Sequence, residues 1–220
     1  MTHTSLTSLA TATRGQLIGC QDENAGIGRV VIDSRLTKPG DLFWALRGEH
    51  HDGHEFLVEA RHRGAGAAVV RRERLAQAQE AWRSGSGHGT VPPLIVVEDT
   101  LTALAEFARW HRSQQEGLVV GVTGSFGKTT TREMIHAVLS ASHPGVRSLK
   151  NFNNHIGLPL SLLELDDSHE FAVLEMGASA VGEIAMLAEI AQPEVGVITG
   201  IGLAHVAGFG SPEGIVLGKG

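Results

Sequence analysis

The run Gly124-Ser125-Phe126-Gly127-Lys128-Thr129-Thr130 carries the densest chemistry in the sequence. Two glycines three apart let the backbone turn tightly and come close to a ligand. Lys128 supplies a point charge, and the Thr129 hydroxyl is a hard oxygen suited to Mg²⁺. If the segment opens a helix, its first backbone N–H groups face an anion and complete a cradle for phosphate. A full Walker A pattern would have a glycine at position 122, where this chain has Val122. The pattern here is therefore the shorter Gly-x-x-Gly-Lys-Thr.

Glu175 is the second candidate. It follows the apolar run Phe171-Ala172-Val173-Leu174, a place from which a carboxylate can hold Mg²⁺ beside a phosphate loop. The other reading is a charge that caps a strand end or pairs with a surface lysine. His205 is one of twelve histidines and says little taken alone. His50, His51, Asp52 and His54 crowd one short stretch, but without a nearby cysteine they read as a substrate loop rather than a zinc centre. Asp33-Ser34-Arg35 either binds a phosphate or uracil-type edge through Ser34 and Arg35, or is a solvated turn with an internal ion pair.

These residues need elements to position them. Leu118 to Val122 is short, apolar and β-branched, as a buried parallel strand is. Met134, Ile135, Val138 and Leu139 continue beyond Lys128 at helical spacing. Further strands are expected at Val30–Ile32, Leu42–Leu46, Ala67–Val70, Leu94–Val97, Phe171–Leu174 and Val195–Thr199. Helices are expected from Phe56 to Gly64, Arg71 to Arg83, Leu101 to Trp110 and Gly182 to Ala191. Lys38-Pro39-Gly40-Asp41 marks a turn, Ser84 to Gly89 a flexible loop, and the asparagines from Asn151 to Asn154 a further turn. Gly202 to Gly210, with His205, is read as a loop. Alternating strands and helices predict α/β architecture: a small α/β domain over 1–98, then a doubly wound parallel-sheet domain over 99–220. Ligands of such sheets sit at strand C-terminal ends, just where Thr129, Glu175 and His205 fall.

The composition, 42% hydrophobic and 19% charged over 220 residues, is that of a chain with a real core. No apolar run approaches the ~20 residues of a membrane helix, and the first ten residues lack a secretory pattern. Cys20 is the single cysteine, inert in this reading, which excludes an internal disulfide and fits a reducing compartment. A cytoplasmic location is expected. Residues 1–98 balance 11 basic against 11 acidic side chains, and 99–220 hold 7 against 13, so the whole net charge of −6 lies there. That disfavours nucleic acid as a partner, and leaves any anionic ligand to local groups and metal.

In this order the segments resemble the Mur ligases. The first part carries Asp33-Ser-Arg35, Lys38-Pro-Gly-Asp-Leu-Phe43, Ala45-Leu-Arg-Gly48 and Asp52-Gly-His54. The second carries Thr123 to Thr130, Asn151-Phe-Asn-Asn154, Gly157-Leu-Pro159, Glu175-Met-Gly177, Gly182-Glu-Ile184, Ala204-His205, Gly208 to Ser211 and Glu213-Gly-Ile215. The match favours the branch that joins D-alanyl-D-alanine to UDP-N-acetylmuramoyl-tripeptide with ATP and Mg²⁺, by way of an acyl phosphate. Folylpolyglutamate synthase and other Mur ligases fit the first domain less well.

The resemblance implies roles residue by residue. The loop from Gly124 through Thr130 binds nucleotide phosphates, with Lys128 on the β/γ-phosphates and Thr129 on a first Mg²⁺. Glu175 and His205 serve a second Mg²⁺, and Asn154 positions nucleotide or metal-bound water. Ser34, Arg35 and Arg47 hold the UDP part, and Lys219 falls where relatives carry a carbamylated lysine; an ordinary surface lysine is the other reading. Phe126 stands where a small or polar residue is common, and Ser179-Ala180 where Asn-His is often found. The resemblance stops inside the central domain at Gly220, so the chain alone is expected to bind UDP-substrate or nucleotide phosphate without turnover, as a monomer.

Overall fold

The computed structural model describes residues 4–19, 26–48, 51–84, 92–149, 152–202 and 209–219, apart from the side chains of 212, 213 and 219. Cys20, His50, Asn151, His205 and most of the Ser84–Gly89 loop lie outside the described residues. Contacts within the chain divide it into Met1–Phe107 and Ala108–Gly220.

In the first unit the strands are β1 (Gln16–Ile18), β2 (Val30–Val31), β3 (Leu42–Trp44), β4 (Ala67–Arg71) and β5 (Leu94–Val97). Their order in the sheet is β1-β5-β4-β3-β2, parallel except for β1 against β5. Because side chains alternate across a strand, Val31, Phe43, Ala68, Val70, Leu94 and Val96 share one face. They pack with Leu57 and Ala60 of helix α2 (Leu57–His62) and with Ala78 and Trp82 of α3 (Leu75–Ser84). The opposite face carries Trp44, which stacks on Phe107 of α4 (Thr100–Ser113) at 5.9 Å and 22°. The Trp44 indole N–H donates to the Thr100 carbonyl at 2.8 Å, so the one polar atom of this buried ring is satisfied. Helix α1 (Leu6–Ala12) and β1 have no counterpart in the sequence reading. They are short, and α1 is held by its Ser5 cap and by burial of Leu6 and Leu9 rather than by long periodicity.

The second unit holds β6 (Leu118–Thr123), β7 (Gly145–Arg147), β8 (Phe171–Glu175) and β9 (Val195–Ile198) in the order β7-β8-β6-β9, all parallel. Ile135 and Leu139 of α5 (Lys128–Leu139) cover one face through Val120, Val122, Phe171 and Val173. Val119, Ala172 and Leu174 point the other way and are equally buried. Helices α6 (Gly157–Leu162) and α7 (Glu183–Ala191) contact β8 and β6. Burial on both faces explains why β6 and β8 read as continuous apolar runs, whereas β9 is apolar but largely exposed. A last helix, α8 (Pro212–Lys219), packs Ile215 with Phe209, Ala178 and Ile184. No described helix is long and apolar enough to cross a membrane.

Register is what matters for the site. Pairing of β6 with β8 sets Val122 beside Glu175. The carboxylate thus emerges next to the point where the chain leaves β6 for the glycine turn.

Candidate functional site

Gly127 closes the turn and caps α5 with φ +77°, a left-handed geometry that glycine adopts without penalty. Gly124 has φ +138°, and a Cβ there would lie 2.2 Å from the Thr199 hydroxyl. The turn is fastened to the chain after β9. Thr199 Oγ1 donates toward the Phe126 and Thr123 carbonyls at 2.5 and 3.1 Å. Ser125 N–H donates to the Gly200 carbonyl at 2.8 Å, and its hydroxyl to Gly202 at 3.0 Å. The exposed Phe126 ring lies over Gly200 and Gly202, close enough that a Cβ on Gly200 would meet Cζ at 2.6 Å. The bulky residue in the loop therefore packs outward on glycine backbone. Lys128 folds back to donate from Nζ to the Gly124 carbonyl at 2.8 Å, and Thr130 lies next to Thr129 in the first turn of α5.

Glu175 ends β8 and is 2% exposed. Its Oε2 accepts from Thr129 Oγ1 at 2.9 Å and from Arg132 Nη1 at 3.2 Å, while Oε1 accepts from Asn153 Nδ2 at 2.8 Å. Its backbone N–H donates to Ser148 Oγ at 3.0 Å. Arg132 Nη2 also reaches Glu133 Oε1 at 2.6 Å, and Arg147 pairs with Glu133 at 2.8 Å. Hydrogen bonding from Arg132, with further help from Arg147, holds the Glu133 carboxyl below the usual range.

Sequence reading missed Arg132, Asn153 and Ser148. Arg132 had a signal: it lies three residues past Thr129 and four past Lys128, and so on their side of the helix. Asn153 is the asparagine that reaches the carboxylate. Asn154 instead accepts from Ile156 and Gly157 N–H at 3.2 and 2.9 Å, starting α6. Both asparagines line a cavity of about 360 Å³ with Lys128, His155, Ser179 and Glu183. Glu183 accepts from the Ser179 and Ala180 N–H groups at 2.6 and 3.1 Å. Those bonds depress its pKa and shape the turn where the sequence has Ser-Ala. Lys219 ends α8, and its side chain, like all of His205, lies outside the described residues.

In the first unit Ser34 is buried and its hydroxyl donates to Glu59 Oε2 at 2.6 Å. That bond, with Arg63 on the other oxygen, lowers the Glu59 pKa. Arg35 is turned to solvent and forks onto Asp33 at 2.9 and 2.7 Å, the internal ion pair of the alternative reading. A cavity of about 370 Å³ is bounded by Ile32, Ser34, Arg35, His51 and Phe56. Arg47 is exposed, and its backbone bridges to Asp52. Asp52 accepts from His54 Nδ1 at 2.6 Å, and His54 Nε2 accepts the Arg71 N–H at 2.9 Å. His54 is thereby occupied in joining its loop to β4.

The donor set fits Mg²⁺ and phosphate. A carboxylate and a hydroxyl 2.9 Å apart are hard oxygens, and Mg²⁺ is commonly held by one or two carboxylates plus substrate phosphates rather than by an all-protein cage. Among the described residues no three His, Cys, Asp or Glu side chains converge as a metal site.

A glycine turn that joins a central parallel strand to a helix, with a buried acid at the end of the next strand, defines a phosphate-loop α/β protein. The comparisons with known proteins take this further. Residues 26–112 match the family described as "Mur ligase family, catalytic domain" and 122–220 the "Mur ligase middle domain". The chain belongs to the Mur ligase family. It is 41% identical over 213 residues to the UDP-N-acetylmuramoyl-tripeptide--D-alanyl-D-alanine ligase of Bacillus subtilis, which covers 96% of this chain and 44% of that one. The structure of MurF from Acinetobacter baumannii superposes with a TM-score of 0.82 at 36% identity, over 98% of this chain and 45% of that one. MurF ligase from Thermotoga maritima, solved in complex with ADP, gives 0.71 at 37% identity over 87% and 42%. The chain thus spans less than half the length of these relatives.

Proposed function

We propose that the protein is an ATP-dependent ligase that joins D-alanyl-D-alanine to UDP-N-acetylmuramoyl-tripeptide in peptidoglycan precursor synthesis. The observation that carries the reading is the meeting of Thr129 and Glu175 at 2.9 Å beside the glycine turn. The names of the relatives supply the substrates.

In this reading residues 1–98 bind the UDP end, through Ser34, Arg35 and Arg47, with Phe56 offering an apolar edge to the cavity. Residues 99–220 bind ATP. Backbone N–H groups of the Gly124–Thr130 loop, apart from that of Ser125, which is bonded to Gly200, hold its phosphates, and Lys128 leaves the Gly124 carbonyl for the β/γ-phosphates. Thr129 and Glu175, 2.9 Å apart, would share one Mg²⁺ with His205 as a further ligand, in place of the separate first and second Mg²⁺ that the resemblance implies. The metal would supply charge neutralisation where the γ-phosphoryl group is transferred. The tripeptide carboxylate takes that group to give an acyl phosphate and ADP. The amine of D-alanyl-D-alanine then attacks the acyl carbon, phosphate leaves, and an amide remains. Asn154 borders this space, and a carbamylated Lys219 would add a negative charge to the metal site. The location is cytoplasmic and the protein a monomer.

The activity is proposed for the whole protein, and nucleotide and UDP binding for the residues described above. Phosphate release that requires ATP, UDP-N-acetylmuramoyl-tripeptide and D-alanyl-D-alanine together is the expected result of an assay. Equal release without either acceptor substrate would overturn the proposal.

A further inference from the structure

We propose that Arg132 is the resident counter-ion of the metal-bearing carboxylate: its guanidinium occupies Glu175 in the metal-free protein and sets how tightly a divalent cation binds. The inference rests on reading Thr129 and Glu175 as the metal ligands. It assigns a positioning role to a residue that contacts neither nucleotide nor metal in that reading.

Glu175 is 2% exposed and Arg132 3%. A carboxylate that far from water needs a compensating charge. Thr129 and Asn153 give it neutral donors, whereas Lys128 is turned to the Gly124 carbonyl. Among the described residues, Arg132 is the cation within ion-pair distance of Glu175.

Two donors share one carboxylate oxygen. Thr129 Oγ1 and Arg132 Nη1 both reach Oε2. A cation bound by the Thr129 hydroxyl and Glu175 would take that same oxygen, and so would displace or crowd the guanidinium. Arg132 is also tethered. Its other amino group is on Glu133, which Arg147 holds in turn, so the groups run Arg147–Glu133–Arg132–Glu175 with alternating sign. Arg132 stays within a few ångströms when a cation arrives and repels it. Even at the dielectric of bulk water, about 80, one positive charge about 6 Å from a divalent cation weakens its binding about tenfold, and a lower local dielectric only strengthens the effect.

The test is Mn²⁺ binding to the full chain at pH 8, read from the free-ion paramagnetic resonance signal. Wild type should bind, and Glu175→Gln should lose binding. If wild type fails to bind, or Glu175→Gln binds equally, the metal-site reading falls and this inference with it. With those controls met, Arg132→Met should bind Mn²⁺ about tenfold tighter while the metal-free protein melts at lower temperature. Unchanged or weaker binding, as a merely structural arginine would give, overturns the counter-ion role alone. Should Arg132→Met fail to fold, Glu133→Gln decides. Freed from Glu133, Arg132 leans wholly on Glu175, so weaker Mn²⁺ binding supports the role, and unchanged or tighter binding overturns it.

Discussion

The Thr129 hydroxyl and the Glu175 carboxylate lie 2.9 Å apart although 46 positions separate them in the chain. One opens α5 and the other ends β8, and parallel pairing of β6 with β8 brings the two ends level. In Thr129→Val the volume is kept and the hydroxyl lost. Hydrogen bonds to charged groups are worth about 1.5–3 kcal/mol, so Mg²⁺-dependent ADP binding should weaken about ten- to a hundredfold. Titration of a fluorescent ADP analogue with and without Mg²⁺ checks this. Equal loss in both conditions would place the hydroxyl outside the metal site.

Lys128→Met should separate phosphates from the rest of the nucleotide. The ammonium on the Gly124 carbonyl is the cation of the loop, and charge-assisted contacts to phosphate are about twice as strong as neutral ones. ATP affinity should drop about tenfold or more, with AMP affinity nearly unchanged, as measured by calorimetric titration. A uniform loss across AMP, ADP and ATP would count against a β/γ-phosphate role.

Gly124→Ala places a methyl 2.2 Å from Thr199 Oγ1 at φ +138°. Strain at such a position is of order 1–3 kcal/mol, and the clash strikes the threonine that ties the turn to the end of β9. Melting temperature and nucleotide binding should both fall. Gly196→Ala is the control, because its Cβ meets nothing within 4 Å. Similar losses in the two variants would refute the steric account.

Trp44 is wholly buried between the first sheet and α4. Trp44→Ala removes the stack on Phe107 and the bond to Thr100, and core Trp→Ala changes lower stability by about 3–5 kcal/mol. The urea midpoint of the first unit should fall accordingly. A change under about 1 kcal/mol would mean the site collapses around the smaller residue.

Acidification should destabilise the protein through His111. Burial pushes its pKa down, against the opposing effect of the bond to the Leu165 carbonyl at 2.6 Å. Above the unfolded value of about 6.5 the ring is neutral in both states and contributes no pH dependence. Below it the unfolded chain takes up a proton that the folded one refuses, and stability drops until the lower folded pKa is passed. His111→Gln should flatten the fall in melting temperature between pH 7 and 5. Parallel curves for wild type and variant would show that other groups cause the fall.

Long apolar strands with clear flanks, such as Leu118–Thr123 and Phe171–Glu175, were legible because burial on both faces leaves one unbroken signal. Gln16–Ile18 and Gly145–Arg147 were not: three residues at a sheet edge carry too little pattern to stand out. Asn153 and Asn154 were both legible as turn residues. Which of them reaches Glu175 depends on how the turn meets the end of β8, something spacing does not encode.

By itself the sequence determined the strand, glycine turn and helix around Lys128, because these segments are contiguous and each step is local chemistry. It also determined the parallel α/β class through the alternation of elements. Only the tertiary structure decided what surrounds Glu175. Thr129 and Arg132 come from α5, and Ser148 and Asn153 from the chain after β7, two stretches distant from Glu175 in sequence. Their convergence follows from the register that sets Val122 beside Glu175. That register comes from packing both sheet faces under helices, a long-range balance no local pattern records.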